Sequence, residues 1–185
     1  MVGLDALILA IVLSAVAVFV ASSIIWTATP LHKNDYKKLA KEAELLDTVR
    51  SVAPGPGRYA FPFCKPGDEK DEEVAARVEK GPWGMLLLAP AKPNMGKALA
   101  AWMLYLLVVG LFVAYLLTLS MREGARYMDV FQMASTVAFL AHAGGAVPGC
   151  IWRGEPWSGL KGQLFDGLVY ALLTAGVFAW QFPTA

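Results

Sequence analysis

Hydrophobic side chains occupy four long runs of the chain, and one long polar segment separates the first run from the other three. The first run, residues 4–26, carries a single charge, Asp5, at its edge. A helix over this run is about 34 Å long, enough to cross a hydrocarbon core of about 30 Å. The later runs cover residues 98–121, 128–152 and 162–182, the last two being more polar. The pattern predicts four transmembrane helices.

Residues 1–26 are predicted to be a retained anchor. A cleaved signal peptide has positive charge before a shorter apolar core. Here no Lys or Arg precedes the apolar run, whereas Lys33, Lys37 and Lys38 follow it.

The polar segment, residues 27–97, is predicted to be a small α/β cap that lies on the membrane surface. Apolar residues at helical spacing predict an amphipathic helix up to Val52 that Asn34 or Asp35 caps. Two Pro and two Gly at 54–57 end it. Residues 58–63 favour an edge strand, residues 66–81 a second helix and residues 83–90 a second extended piece. The fold class is therefore a membrane all-α protein, with a small α/β extramembrane cap between transmembrane helices 1 and 2.

The charge distribution supports this division and predicts an orientation. Only 17% of the 185 residues are charged, against about 25% in ordinary soluble domains. Residues 27–97 hold 12 of the 16 Lys and Arg, and Arg153 and Lys161 fall on the same side of the predicted spans. Because Lys and Arg favour the cytoplasmic side, we expect residues 27–97 in the cytoplasm and both termini in the periplasm of a bacterial inner membrane.

Several function classes find no support in the sequence. The net charge of +1 and the absence of a separate basic stripe argue against nucleic-acid binding. Cys64 and Cys150 lie far apart with no Cys/His cluster, so no metal site is predicted. No nucleophile-elbow, phosphate-loop or zinc-protease motif occurs, and no catalytic residue is assigned. A thiol enzyme using Cys64 with His32 is the least favoured hypothesis, and an activity as an enzyme is not expected.

Ionisable and polar residues interrupt the last two apolar runs. His142 lies about 15 Å along the helix from Trp152. Asp166 and Tyr170 belong to a polar stripe of the last run. Ionisable groups at membrane depth are functional-site hypotheses by default. If the two helices pack by these faces, His142, Asp166 and Tyr170 form one polar network, in which His142 is a candidate cofactor ligand or proton relay. The cofactor itself is not identified.

Two plainer interpretations of the same residues stay open. His142 is then a neutral side chain hydrogen-bonded to a neighbouring helix. Asp166 then lies near the headgroups and pairs with Lys161 or Arg153.

The stretch AHAGGAVPGCIW, residues 141–152, contains the small-residue pattern of Gly145 and Gly149 around Pro148. Such patterns allow close contact between membrane helices. Pro148 removes a backbone donor and is expected to bend the helix by freeing the carbonyl of residue 144. We interpret Gly145, Pro148 and Gly149 as helix-packing residues.

The motifs TPLHKNDY, YAFPF, GPWG, PNMG and FDGLVYALLTAG, spread over most of the chain, resemble a recurrent type of bacterial inner-membrane protein that has no established activity. The resemblance implies a membrane location and carries no catalytic residues over to this sequence.

Two functions are weighed from these features. The first is an interaction protein, an accessory or scaffolding subunit of a larger inner-membrane complex such as a respiratory or photosynthetic one. Its partners would be the lipid bilayer and other membrane subunits or a second copy, with no nucleic acid. The alternative is a small transporter, or a lipid- or cofactor-binding protein, that uses a groove around His142, Tyr170 and Asp166.

Overall fold

The computed structural model describes residues 2–52 and 55–184. These residues form two compact units, of which one holds residues 37–94 and the other holds the described residues up to Tyr36 and from Met95 onward. In chain order the helices and strands are α1 (Ile8–Ala28), α2 (Glu42–Val52), β1 (Gly57–Phe61), α3 (Glu72–Lys80), β2 (Gly84–Leu88), α4 (Met95–Ser120), α5 (Tyr127–Ala143), α6 (Ala146–Trp152) and α7 (Trp157–Gln181).

The prediction of four long apolar helices is confirmed. Four segments are long and apolar enough to cross a membrane: Asp5–Ala28, Met95–Ser120, Tyr127–Trp152 and Trp157–Gln181. The first begins with a 3-10 turn over Asp5–Leu7. The second begins at Met95 rather than at residue 98, and the fourth begins at Trp157 rather than at 162. Both helices begin earlier than predicted because their first turns contain polar or small residues, which lie outside the apolar runs of the sequence.

The third segment is interrupted at Gly144 and Gly145, which include the residue whose carbonyl Pro148 was expected to free. Helix α5 ends at Ala143, Gly144 and Gly145 interrupt it, and α6 starts at Ala146. Pro148 therefore lies in the first turn of α6, where a missing backbone donor costs no helical hydrogen bond. The two glycines have the lowest helix propensity after proline, which explains why the interruption falls on them.

Helices α5 and α7 make the most extensive contact of the bundle. Small side chains on both helices face each other: Val130, Ala134 and Ala138 on α5, with Gly167, Ala171 and Ala175 on α7. A Cβ at Gly167 would lie 2.7 Å from the Cβ of Ala143, so the two backbones approach more closely than any larger residue allows. Small residues at such contacts let membrane helices gain van der Waals packing.

Helix α1 packs against α4 and α7. Its buried hydroxyls are satisfied locally, because Ser14 donates to the carbonyl of Ile11 at 3.0 Å and Ser22 to that of Phe19 at 2.9 Å. The opposite face of α1 carries exposed Val12, Val16, Val20 and Ile24. Exposed aliphatic side chains along a whole helix suit an apolar solvent better than water.

The second unit contains the predicted two-stranded sheet. Strands β1 and β2 pair antiparallel, with Tyr59 opposite Leu86. Helix α3 begins after Asp71, whose side chain accepts hydrogen bonds from the backbone N–H groups of Glu73 and Val74. It ends at Gly81, whose φ of 61° is a conformation that favours glycine.

The expected start of the amphipathic helix at Asn34 or Asp35 is wrong. Helix α2 begins at Glu42, and the Asp35 carboxylate accepts a hydrogen bond from the side chain of His32 instead. The contact with His32 therefore occupies the Asp35 carboxylate, which the local sequence predicts to be a helix cap.

Candidate functional site: a buried carboxylate beside an aromatic groove

Asp166 is a buried carboxylate in the third turn of the last long helix, α7. Only 7% of its surface is exposed. Its Oδ2 accepts from the indole Nε1 of Trp26 at 3.1 Å and from the Tyr170 hydroxyl at 3.4 Å, and it lies 3.0 Å from Nε2 of His32. Its Oδ1 is also buried and has no hydrogen-bond partner among the described residues. Oδ2 therefore has three polar contacts, whereas Oδ1 has none among the described residues.

His32 joins this carboxylate to a second one. Its Nδ1 lies 2.7 Å from Oδ2 of Asp35, and its ring stacks on Trp26 with centroids 4.0 Å apart and an interplanar angle of 4°. A Cβ at Gly162 of α7 would lie 3.0 Å from Cε1 of the imidazole, so a larger residue there would press on the ring. The segment that follows α1 is thereby fixed against the start of α7.

The geometry around His32 favours its charged form. Burial by itself lowers the pKa of the imidazole, but the hydrogen bonds to Asp35 and Asp166 and the charges of both carboxylates outweigh burial and raise the pKa above the ordinary 6.5. Only the imidazolium has two N–H donors, so both carboxylate contacts are satisfied only when His32 is protonated. The Asp35–His32–Asp166 triad then carries a net charge of −1.

Four rings form a cluster one turn further along the bundle: Trp102 and Tyr105 of α4, His142 of α5 and Tyr170 of α7. The ring centroids of His142 lie 5.4 Å from Tyr170, 5.7 Å from Tyr105 and 6.2 Å from Trp102. The Trp102 indole donates to Ser22 at 3.0 Å and the Tyr105 hydroxyl donates to the carbonyl of Ala141 at 2.7 Å. These two hydrogen bonds hold the Trp102 ring against α1 and the Tyr105 ring against α5.

A cavity of about 930 Å³ is lined both by Asp166 and by the four-ring cluster. Its walls come from α1, α4, α7 and the end of α5. They comprise Ser22, Ser23, Trp26, Thr27, Met95, Leu99, Trp102, Tyr105, His142, Gln163, Asp166, Gly167 and Tyr170. We call this cavity the aromatic groove. Most of its lining is aromatic or apolar, and Asp166 is its only carboxylate.

The residues of the predicted network lie close together but are not all joined. Tyr170 donates to Asp166, and its ring contacts that of His142 edge-on. Within the described chain no hydrogen bond reaches His142 from Asp166, from Tyr170 or from another helix. Asp166 pairs with His32 rather than with Arg153, which instead forms an ion pair with Glu155 at 2.9 Å.

At Gly145 and Gly149, none of the described atoms nearest to an added Cβ belongs to another helix. A Cβ at Gly145 would meet no atom within 4 Å, and one at Gly149 would meet the side chains of Glu155 and Arg153. Contact of this face with a helix of another molecule stays a prediction. The close helix contact seen here uses Gly167, which the sequence interpretation did not select.

Sequence reasoning missed His32, Trp26 and Asp35 as site residues. It considered His32 only as a partner for Cys64 and Asp35 only as a helix cap. Both ring nitrogens of His32 face carboxylates, and the thiol of Cys64 contacts the backbone carbonyl of the neighbouring Lys65 at 3.6 Å. The available signal was a buried acid, Asp166, that needed a cation, and a histidine directly after an apolar helix.

The His32 pair predicts a pH-dependent stability. Because the folded-state pKa is raised, the stabilisation is fully present below the unfolded pKa of about 6.5 and is lost as pH rises through the folded-state value. Above that value either the buried Asp166 carboxylate or the partly exposed Asp35 carboxylate faces an imidazole nitrogen without a proton. We expect the free energy of unfolding to fall by about 1.5–3 kcal/mol, the usual contribution of a charged hydrogen bond.

Thermal unfolding in detergent between pH 6 and pH 9, compared with the His32→Gln variant, measures this contribution. The variant should be less stable at pH 6 and should lack this component of the pH dependence. Parallel pH profiles for the two proteins would contradict the assignment.

Comparison of the chain with family models, with curated proteins and with solved structures finds no match. The functional argument therefore rests on the groove and the buried triad.

Proposed function

We propose that this protein is an integral membrane protein that binds an amphiphilic small molecule, such as a lipid, in the aromatic groove. The observation that carries the proposal is the groove itself: about 930 Å³ of space with aromatic walls and the buried Asp166 carboxylate among its lining residues. Ligand sites in proteins have volumes of about 300–1,000 Å³, mostly apolar walls and a few placed polar groups.

The distribution of lining residues favours an amphiphile over a wholly apolar or wholly polar ligand. Asp166, His142 and Gln163 supply polar atoms on one wall. Met95 and Leu99 are exposed on another. An acyl chain bound along this wall would contact the apolar side chains of Met95 and Leu99. A polar head and an apolar tail would thus both find matching surroundings.

The orientation in the membrane is part of the proposal. The excess of Lys and Arg in residues 27–97 supports a cytoplasmic location for that unit in a bacterial inner membrane, with both termini periplasmic. In this orientation the triad lies towards the cytoplasmic side, because His32 and Asp35 follow the cytoplasmic end of α1.

The accessory-subunit hypothesis stays a prediction, and one observation favours it as a second function. The α5–α6 junction presents Gly145 without a neighbour within 4 Å, a surface on which a helix of another subunit could pack closely. Groove and junction involve different residues, so the two functions are testable separately.

Filling the groove should abolish ligand retention. Ser23 lines the groove, whereas the adjacent Ile24 is exposed on the outer face of α1 and does not line it. We expect Ser23→Phe to lower the tightly retained phospholipid per chain by about tenfold or more, equivalent to about 1.4 kcal/mol. The matched Ile24→Phe control should retain as much as the wild type. Mass spectrometry of protein extracted in a mild detergent measures both, and equal retention by the two variants would refute the proposal.

Thiol labelling tests the orientation. Cys64 is partly exposed and Cys150 is buried, so a Cys150→Ala background leaves one reactive position. We expect a membrane-impermeant maleimide to label Cys64 only after the cells are permeabilised. Thr184→Cys in a chain without other cysteines is the control and should react in intact cells, since Thr184 is exposed beyond α7. The opposite pattern would reverse the topology.

Co-purification tests the accessory-subunit hypothesis. Gentle solubilisation followed by mass spectrometry should recover other membrane proteins at fixed stoichiometry, and Gly145→Leu should reduce that recovery because it fills the proposed contact. A chain that runs alone, as wild type and variant alike, would remove this second function.

A further inference from the structure

We infer that the ligand of the aromatic groove carries a protonated amine with at least one N–H group, so that the ligand class is an amphiphilic primary ammonium. This inference rests on the proposed function and names the chemistry of the head. A phospholipid with an ethanolamine head and a free long-chain amine share this chemistry.

The first argument is the charge of the triad. Two carboxylates, Asp35 and Asp166, flank one imidazole at 2.7 and 3.0 Å. Even with His32 fully protonated, the three side chains sum to −1. None of the residues that line the groove is a Lys or Arg. Asp35 is partly exposed, whereas Asp166 is buried and is the only acidic side chain among the described residues that line the groove, so the negative charge at the groove wall favours a cationic head.

The second argument is the unused oxygen of Asp166. The side chain is 10% exposed, Oδ2 already has three donors, and Oδ1 has none among the described residues. A carboxylate oxygen can accept two hydrogen bonds, and a buried acceptor left without a donor costs about 1–3 kcal/mol. A quaternary ammonium has charge but no donor, whereas a primary ammonium supplies both. The unpartnered oxygen therefore selects the N–H cation.

The third argument is the surrounding rings. Trp26, Trp102, Tyr105 and Tyr170 all line the groove that Asp166 lines. Indole and phenol faces attract cations within about 6 Å of the ring centroid. The rings therefore add attraction for an ammonium group while repelling an anionic head. His142 shares this wall, and its ring nitrogens have no hydrogen-bond partner in the described chain, which leaves them for a second polar group of the ligand.

A series of three probes with the same tail tests the inference on the purified full chain. The probes are dodecylammonium, dodecyltrimethylammonium and dodecanol, and binding is measured by native mass spectrometry at pH 7. We expect dodecylammonium to bind at least about tenfold more tightly than either of the others. Asp166→Asn should reduce dodecylammonium binding to the level of dodecanol.

Other results of the three-probe series would overturn either the inference or the proposed function. Equal binding of the two cations would overturn the requirement for an N–H donor, and equal binding of dodecanol would overturn the requirement for charge, while the proposed function would stand in both cases. Binding of none of the three would overturn the proposed function as well. If Asp166→Asn does not fold, the wild-type series alone decides.

Reconstitution separates the two sources of the amine. Wild-type protein purified from equimolar phosphatidylethanolamine and phosphatidylcholine should retain the ethanolamine lipid in excess if the ligand is a headgroup. Retention in proportion to the bulk mixture, together with tight dodecylammonium binding, would support a free long-chain amine. Excess retention of phosphatidylcholine would contradict the inference for either source.

Discussion

A carboxylate buried within a bundle of apolar helices sets the main constraint on this protein. Asp166 is 7% exposed, and an unpaired charge at such a position would cost more free energy than a small bundle can supply. The pairing with His32 at 3.0 Å meets part of that cost. It also determines where the chain goes after α1, because His32 reaches Asp166 only if residues 29–35 fold back towards α7. The stacked Trp26 ring and the Asp35 carboxylate follow from this turn.

Small residues make the rest of the arrangement possible. Gly167 lets α7 approach Ala143 of α5, which brings His142 against the ring of Tyr170. Gly162 leaves room for the imidazole of His32. A larger side chain at Gly167 would push α7 away from Ala143, and one at Gly162 would press on the ring of His32, so both the ring cluster and the triad would be displaced. Both the helix packing and the polar contacts of this bundle therefore depend on how closely α7 approaches its neighbours.

The groove results from combining these two features. Aromatic rings from three helices form its walls, and the triad places a net negative charge beside them with one carboxylate oxygen unpartnered among the described residues. Neither feature alone selects a ligand class, since aromatic walls accept many apolar molecules and a buried acid is often structural. Their adjacency favours a molecule with a cationic head and an apolar tail. The functional proposal thus depends on residues from α1, the following loop, α4, α5 and α7 together.

The sequence by itself determined the four long apolar helices, the polar segment between the first two and the two short strands, because hydropathy and helix-breaking residues are local properties. It also identified Asp166, Tyr170 and His142, since polar residues are conspicuous in apolar runs. Only the tertiary structure decided that Asp166 pairs with His32, that Asp35 is not a helix cap, and that the third segment divides into α5 and α6 at Gly144–Gly145. Residues 32 and 166 are far apart in the chain, and no periodicity encodes which buried acid a distant imidazole will meet.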